Sequence, residues 1–387
     1  MTDERPRPRS PRRLRRRGRH RVLGGAGALL LVAGGVTAVL VDADPPAEGR
    51  LASAEADRPH RDPEEYRPGG PFAEDFAPIA QAPPREGDPR PGPDASTGRF
   101  TVDCGVNGGG LRNSENVIVS PGVPNGARHT HDYVGNQDVD RFTDDVDVNN
   151  AILARGDTTC AGGDRSMHYW PVLRDTTVAG DDAGLPGGGL DGNVGRILTP
   201  SSVTIEFLGN ARGPVTAMPE FLQIITGNAR AATQEGANAN ARWTCTGFED
   251  RAFADRYPLC PRGSDVVRVF DFPSCWDGEN TESADNRSHI VFPERGGDCP
   301  DGFVAVPRLR QTLVYEVPDG ADFAVDGFPE ERHDPLTDHS DHINVMPREL
   351  MADVVDCVNG GWDCSASPSS PGAGPRPSAP AWENERW

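Results

Sequence analysis

Apolar residues come only in short runs over most of this chain, and that brevity constrains its fold more than any other feature. ENVIVSPG (115–122), SVTIEFLG (202–209), EFLQIITG (220–227), VVRVFDFP (266–273), SHIVFP (288–293), FVAVP (303–307) and TLVYEV (312–317) are rich in β-branched and aromatic residues. Clusters of Gly, Pro, Asn and Asp bound them. Runs of roughly four to eight such residues fit strands. Helical periodicity is confined to two places. PRELMADVVDCV (347–358) begins on Pro and sets Leu350, Val354 and Val355 on one side, and DRFTDDVDVNNAILA (140–154) is a shorter second. Residues 176–198, with GDDAG and PGGGLDG, form a long loop. The pattern gives a mainly β fold, a sandwich or irregular barrel with long loops and few short helices.

The amino terminus is built differently. Residues 1–21 hold ten Arg and only two acids, Asp3 and Glu4. Residues 22–41, VLGGAGALLLVAGGVTAVLV, carry no charge and have the length of a membrane-crossing helix. The Arg cluster places its own side in the cytoplasm and everything after Asp42 outside. Read as an uncleaved anchor, the run makes a single-pass protein of the cell membrane. Read as a signal peptide cut near Val41-Asp42-Ala43, it makes a secreted one. Residues 42–96 are dominated by Pro, acids and Arg, and the expectation is an extended, disordered linker. The body spans 97–364, and 365–387 returns to Pro, Ser, Gly and Ala as a loose tail.

Charge narrows the partners. Of 39 basic and 59 acidic residues, the part beyond residue 21 keeps 29 Arg against 57 acids. So acidic a body does not neutralise phosphate, which excludes a nucleic-acid-binding surface. The sequence contains no Lys, so neither a P-loop nor Schiff-base chemistry is available.

All eight cysteines follow the apolar run, and an exported chain with an even number of them is read as disulfide-stapled. No CxxC pair is present, which argues against a Cys-type zinc site. Sequence leaves about 105 pairings open. Short loops suggest Cys245–Cys260, Cys275–Cys299 and Cys357–Cys364, which leaves Cys104 with Cys160.

Chemistry concentrates in the histidines. His129-Thr130-His131 puts two imidazoles on one face if the segment is a strand, where they can grip one cation. His339-Ser340-Asp341 repeats the spacing with a carboxylate, and His289 heads another apolar run. His129, His131, His289 and His339 together make a candidate site for zinc, copper, manganese or iron, with Asp341 as ligand or supporting partner. The alternative is a set of structural histidines that only hydrogen-bond. A carboxylate pair for glycoside hydrolysis drawn from Asp277, Asp285 and Asp341 is a further reading, beside solvated or turn-forming Asp. Tyr169, Trp170 and Trp276 could stack on sugar rings or fill a core. There is no GxSxG elbow.

NVIVSPGVPNGARHTHDYVG (116–135), TTCAGGDRSMHYWPVL (158–173), MPEFLQIITGN (218–228), FDFPSCWDG (270–278), DNRSHIVFP (285–293), CPDGFVAVPRL (299–309) and HSDHINVMPRELMADVVDC (339–357) resemble, in order, DUF1996. This is a family of secreted bacterial and fungal domains of unknown function whose fungal members often carry WSC wall-associated modules. The shared pattern covers His129 and His131, Cys275 with Trp276 and Asp277, Asp285, Ser288 with His289, and His339 with Asp341 and Asn344. The family's last block continues as an aromatic residue and Asn-Gly-Trp, whereas this chain reads His342-Ile343-Asn344-Val345-Met346. His168 and His342 are particular to this chain. The resemblance implies an extracytoplasmic domain in the company of cell-envelope polysaccharide, with no assigned activity. A non-catalytic wall-binding or structural domain is the competing expectation.

Overall fold

The Arg308–Tyr315 strand sets the pattern of the core: Leu309, Gln311, Leu313 and Tyr315 are buried and the residues between them half-exposed. That is the period of two expected where one sheet face meets a core. Its neighbours repeat it, with Phe100 and Val102 inward on Arg99–Val102 and Ile205 and Phe207 on Ser202–Leu208. In spatial order, Trp243–Cys245, Val266–Asp271, Arg308–Tyr315, Ser202–Leu208, Arg99–Val102 and Asp363–Ser365 form one six-stranded sheet. Every pairing in it is antiparallel except the last. The computed structural model describes residues 69–318 and 320–366, all within the second of two compact units, residues 59–387.

A second sheet of five antiparallel strands runs Arg112–Asn113, His131–Gly135, Met167–Pro171, His339–Ile343, Gln223–Gly227. Its inner residues Val134, Trp170 and Ile224 join Phe100, Phe207, Phe270 and Leu313 in one core. Each such side chain stabilises the fold by about 1.5–3 kcal/mol when fully buried. Polar bridges also cross between the sheets. Arg268 makes a bidentate pair with Asp338 and donates to the Pro171 carbonyl, and Gln311 meets Ser340 and His168. Both sheets are open, so the sandwich is realised and not the barrel.

The four long strands of the second sheet are buried on both faces. A third layer covers the outer one: Val117, Ile118, Val139, Phe142 and Leu153 pack on Tyr133, Met167, Tyr169, Ile225 and Ile343. The 115–122 run, expected as a strand, is a chain of turns in this layer, closed by an Asn116–Ser120 bridge. The helix expected over 140–154 is shorter, Val146–Leu153, and starts where the Asp145 carboxylate accepts from the Asp147 and Val148 amides. The Arg348–Asn359 helix follows Pro347 and buries Met351, Val354, Cys357 and Val358; Leu350 and Val355 are only half-buried.

Four disulfides staple the fold: Cys104–Cys160, Cys245–Cys260, Cys275–Cys299 and Cys357–Cys364. The disordered linker expected over 42–96 needs correction in its described half. Phe76–Pro78 pairs in parallel with Tyr257–Leu259, and Ala77, Ile79 and Ala82 enter the core. Burying them offsets the ordering cost that the polar composition suggested would go unmet. At the other end Ser365 completes a strand and Ala366 is buried, so order runs slightly past the expected boundary. The basic segment 1–21, the apolar run 22–41, residues 42–68 and the tail from 367 lie outside the described residues. Among the described residues no helix is long and apolar enough to cross a membrane.

Candidate metal centre

His131 and His339 each open a strand of the five-stranded sheet, with Met167–Pro171 lying between them. Tyr133, Tyr169 and Asp341 face one another across these strands, and two residues along the same face stand His131, Pro171 and His339. His129 arrives from just before its strand, after Arg128 turns the chain at φ 54°. An Asp191 carboxylate pairs with Arg128 at 3.1 Å, and Asn193 donates to the Arg128 carbonyl at 3.1 Å. Both partners come from the segment expected as a loop over 176–198, whose last three residues, Arg196–Leu198, instead form a strand paired with Leu173–Asp175.

The three imidazoles converge. Nε2 of His129 lies 3.0 Å from Nε2 of His131, and one ring nitrogen from each of His129, His131 and His339 falls within 4.8 Å of the others. The rings meet edge to face, with centroids 4.6 to 6.0 Å apart. All three are buried. His131 donates its Nδ1–H to the Glu115 carbonyl at 3.0 Å, and His339 donates its own to the Thr337 carbonyl at 2.9 Å. A carbonyl only accepts, so both tautomers are fixed and each Nε2 carries a lone pair in place of a proton. The His339 Nε2 has no hydrogen-bond partner.

Electrostatics keeps the cluster neutral. Burial, followed by the His339 ring, pushes His131 down to about 3. Burial likewise holds His339 at about 4 and His129 well below the ordinary imidazole range. Neutral imidazoles are the form that ligates a metal. Tetrahedral zinc with bonds of about 2.0–2.1 Å spaces its nitrogens about 3.3 Å apart, close to the His129–His131 separation. The lone pairs, tautomers and the partnerless His339 nitrogen therefore fit a divalent cation.

His289 does not belong to this cluster. Its Nε2 donates to the Gln223 carbonyl at 2.7 Å and its Nδ1 lies 2.8 Å from Ser283 Oγ, so both nitrogens are used within the protein. The three carboxylates are also engaged separately. Asp277 caps a turn by accepting from the Glu279 and Asn280 amides. Exposed Asp285 accepts from Ser283, Arg287 and Ser288, which hold it well below the usual carboxylate range. Asp341 is buried beside the site with one oxygen unpartnered, and burial pushes it up to about 8. Tyr169 and Trp170 are fully buried, Tyr169 against the His131 ring, so sugar stacking is left to half-exposed Trp276, whose indole donates to the Asn280 carbonyl at 2.7 Å.

A second grouping, His168 with Cys104 and Cys160, offers a single imidazole, because both sulfurs are bonded to each other. Residues that sequence spacing did not single out complete the first site. Phe328 sets its ring edge-on to His129 at 5.4 Å, and the Arg230 guanidinium stacks on Phe328 at 3.9 Å.

Fold and site together define a disulfide-stapled β-sandwich with a buried three-histidine cluster under an outer loop layer. The chain belongs to the DUF1996 family, a domain of unknown function, whose pattern matches residues 116–344. No curated protein and no solved structure matches it.

Proposed function

We propose that this domain holds one divalent transition-metal ion at His129, His131 and His339, on the outer side of the cytoplasmic membrane. The observation that carries the reading is the convergence of the three rings, with the Nδ1 hydrogens of His131 and His339 committed to backbone carbonyls. That outer arrangement is how metal-bound histidines are oriented. Three imidazoles favour zinc, copper or iron over manganese, which prefers carboxylate oxygen. Three protein ligands leave one position for water or substrate, as in catalytic rather than structural zinc sites. When bound, such an ion supplies Lewis acidity and lowers the pKa of its water.

An extracytoplasmic setting is supported by the pairing of all eight cysteines and by the anchor-like run 22–41, whose cleavage would release the domain. Cell-envelope polysaccharide is the partner we propose, met through Trp276 and the exposed Val304 opposite it where Cys275–Trp276 pairs with Val304–Ala305. Loss of retention on isolated wall polysaccharide in Trp276→Ala tests that part.

Elemental analysis tests the metal. The purified chain should hold about one ion after incubation with zinc, copper or iron, and His131→Ala/His339→Ala should hold less than about a tenth of that. A content untouched by the double substitution, or no uptake at all, overturns the reading. The second reading, histidines that serve structure alone, draws on the 3.0 Å His129–His131 contact, which also suits an N–H···N hydrogen bond. It predicts a lowered melting midpoint and no metal.

A further inference from the structure

Thr130, between the two histidines of the His-Thr-His segment, is held through both of its backbone polar groups. Its N–H donates to Asp326 Oδ2 at 3.2 Å, its carbonyl accepts from the Val172 amide at 3.0 Å, and its hydroxyl lies 3.5 Å from Arg174 Nη2. Asp326 is itself fixed, since its amide donates to the Val172 carbonyl at 3.0 Å. Arg174 and Asp326 form a bidentate pair at 2.5 and 2.9 Å, each about 1% exposed. Asp182, from the 176–198 loop, takes the remaining side of the guanidinium at 2.7 and 2.8 Å, and the Gly195 carbonyl accepts at 2.9 Å. No donor of Arg174 is spare.

Buried ion pairs are poor devices for stability, because desolvation cancels most of the Coulomb gain. One aimed at a single peptide between two convergent imidazoles fixes geometry instead. We propose that Arg174 and Asp326 are positioning residues for the metal centre, clamping Thr130 so that His129 and His131 project to one point. The inference rests on the metal reading above, and it explains the 176–198 loop, in which Asp182 locks the clamp while Asp191 and Asn193 hold the residue before His129.

The test compares Asp326→Ala with Asp271→Ala, a buried carboxylate of the Val266–Asp271 strand that pairs with Arg242 and Arg310 and touches neither histidine. Both substitutions destabilise. Cobalt(II) and zinc affinities of the full chain are measured by chelator competition, together with the visible cobalt spectrum. The clamp predicts an affinity loss of about 10- to 100-fold and a changed cobalt spectrum for Asp326→Ala. Asp271→Ala should keep the wild-type spectrum and stay within about threefold in affinity. Equal losses in the two variants, or none in Asp326→Ala, overturn the inference while leaving the metal reading intact. A wild-type chain that binds neither ion overturns both. Should Asp326→Ala fail to fold, Asp326→Asn replaces it. Its amide oxygen still accepts from Thr130, so the expected loss shrinks to a few-fold, and an unchanged spectrum and affinity again count against the clamp.

Discussion

The five-stranded sheet buries imidazoles on both faces, and the two sets are prepared differently. On the outer face, His131 and His339 commit Nδ1 to carbonyls and leave an unprotonated Nε2, that of His131 lying 3.0 Å from His129. On the inner face, His168 and His342 stack at 4.5 Å between Phe207, Phe272 and Gln311. Neither nitrogen of His342 has a partner, nor does Nε2 of His168. Burial depresses all five rings alike. What separates a ligand set from inert core filling is therefore the direction of the lone pairs, and that is set by what the opposite nitrogen touches.

The sharpest way to break this contrast is to truncate each set. His129→Ala or His131→Ala should weaken zinc binding by at least about 100-fold, since each removes a coordinate bond. His342→Leu should leave it within about threefold, as no nitrogen of His342 faces the cluster. Chelator competition checks both, and a similar loss in His342→Leu would erase the distinction.

Acid should expose the inner set next. A ring whose folded pKa lies below its unfolded value is neutral in the fold and takes up a proton only on unfolding. Its stability is whole above about 6.5 and declines as pH falls toward the folded value, about 3 for His342. The slope is about 1.4 kcal/mol per pH unit for each such ring. His342→Leu should remove one ring's share, so denaturant melts of variant and wild type should diverge steadily from pH 6.5 to 4, with the variant more stable.

The outer set should show its preparation as metal-dependent protection. Zinc at 100 times Kd adds about 2.7 kcal/mol at neutral pH. That gain should vanish under acid as protons compete for the same nitrogens, and His131→Ala should lack it throughout. The smallest effect concerns Asp341, whose folded pKa is raised rather than lowered, to about 8. Without metal, its contribution is greatest below about 3.9 and is lost as pH rises toward 8. Asp341→Asn should flatten that part of the curve, giving a melting midpoint that gains a few degrees on wild type between pH 5 and 8.

The two sheets also differ in how far they could be read from sequence. Ser202–Leu208, Val266–Asp271 and Arg308–Tyr315 were legible because their apolar and β-branched residues cluster in runs. The strands HDYVG, MHYWP and HSDHI were not, because buried His, Asp and Tyr stand where a core strand would carry Val or Ile. The site hid its own scaffold. The i, i+2 spacing still revealed His129 with His131, and His339 with Asp341. His289, grouped with them because it heads an apolar run, turns both nitrogens to Ser283 and Gln223, which sequence does not encode. The Thr130 clamp joins residues 44 and 196 positions apart, beyond any local signal. Disulfide pairing was easier, because Cys245–Cys260, Cys275–Cys299 and Cys357–Cys364 close loops of only 15, 24 and 7 residues.

Phe76–Pro78 lies alongside Tyr257–Leu259, one residue short of a cysteine bonded back to Cys245. Tension arriving from upstream of residue 69 would therefore meet a short clip whose backbone pairs share the load lengthwise. The covalent bridge at Cys260 would pass that load to Trp243–Cys245 at the border of the six-stranded sheet.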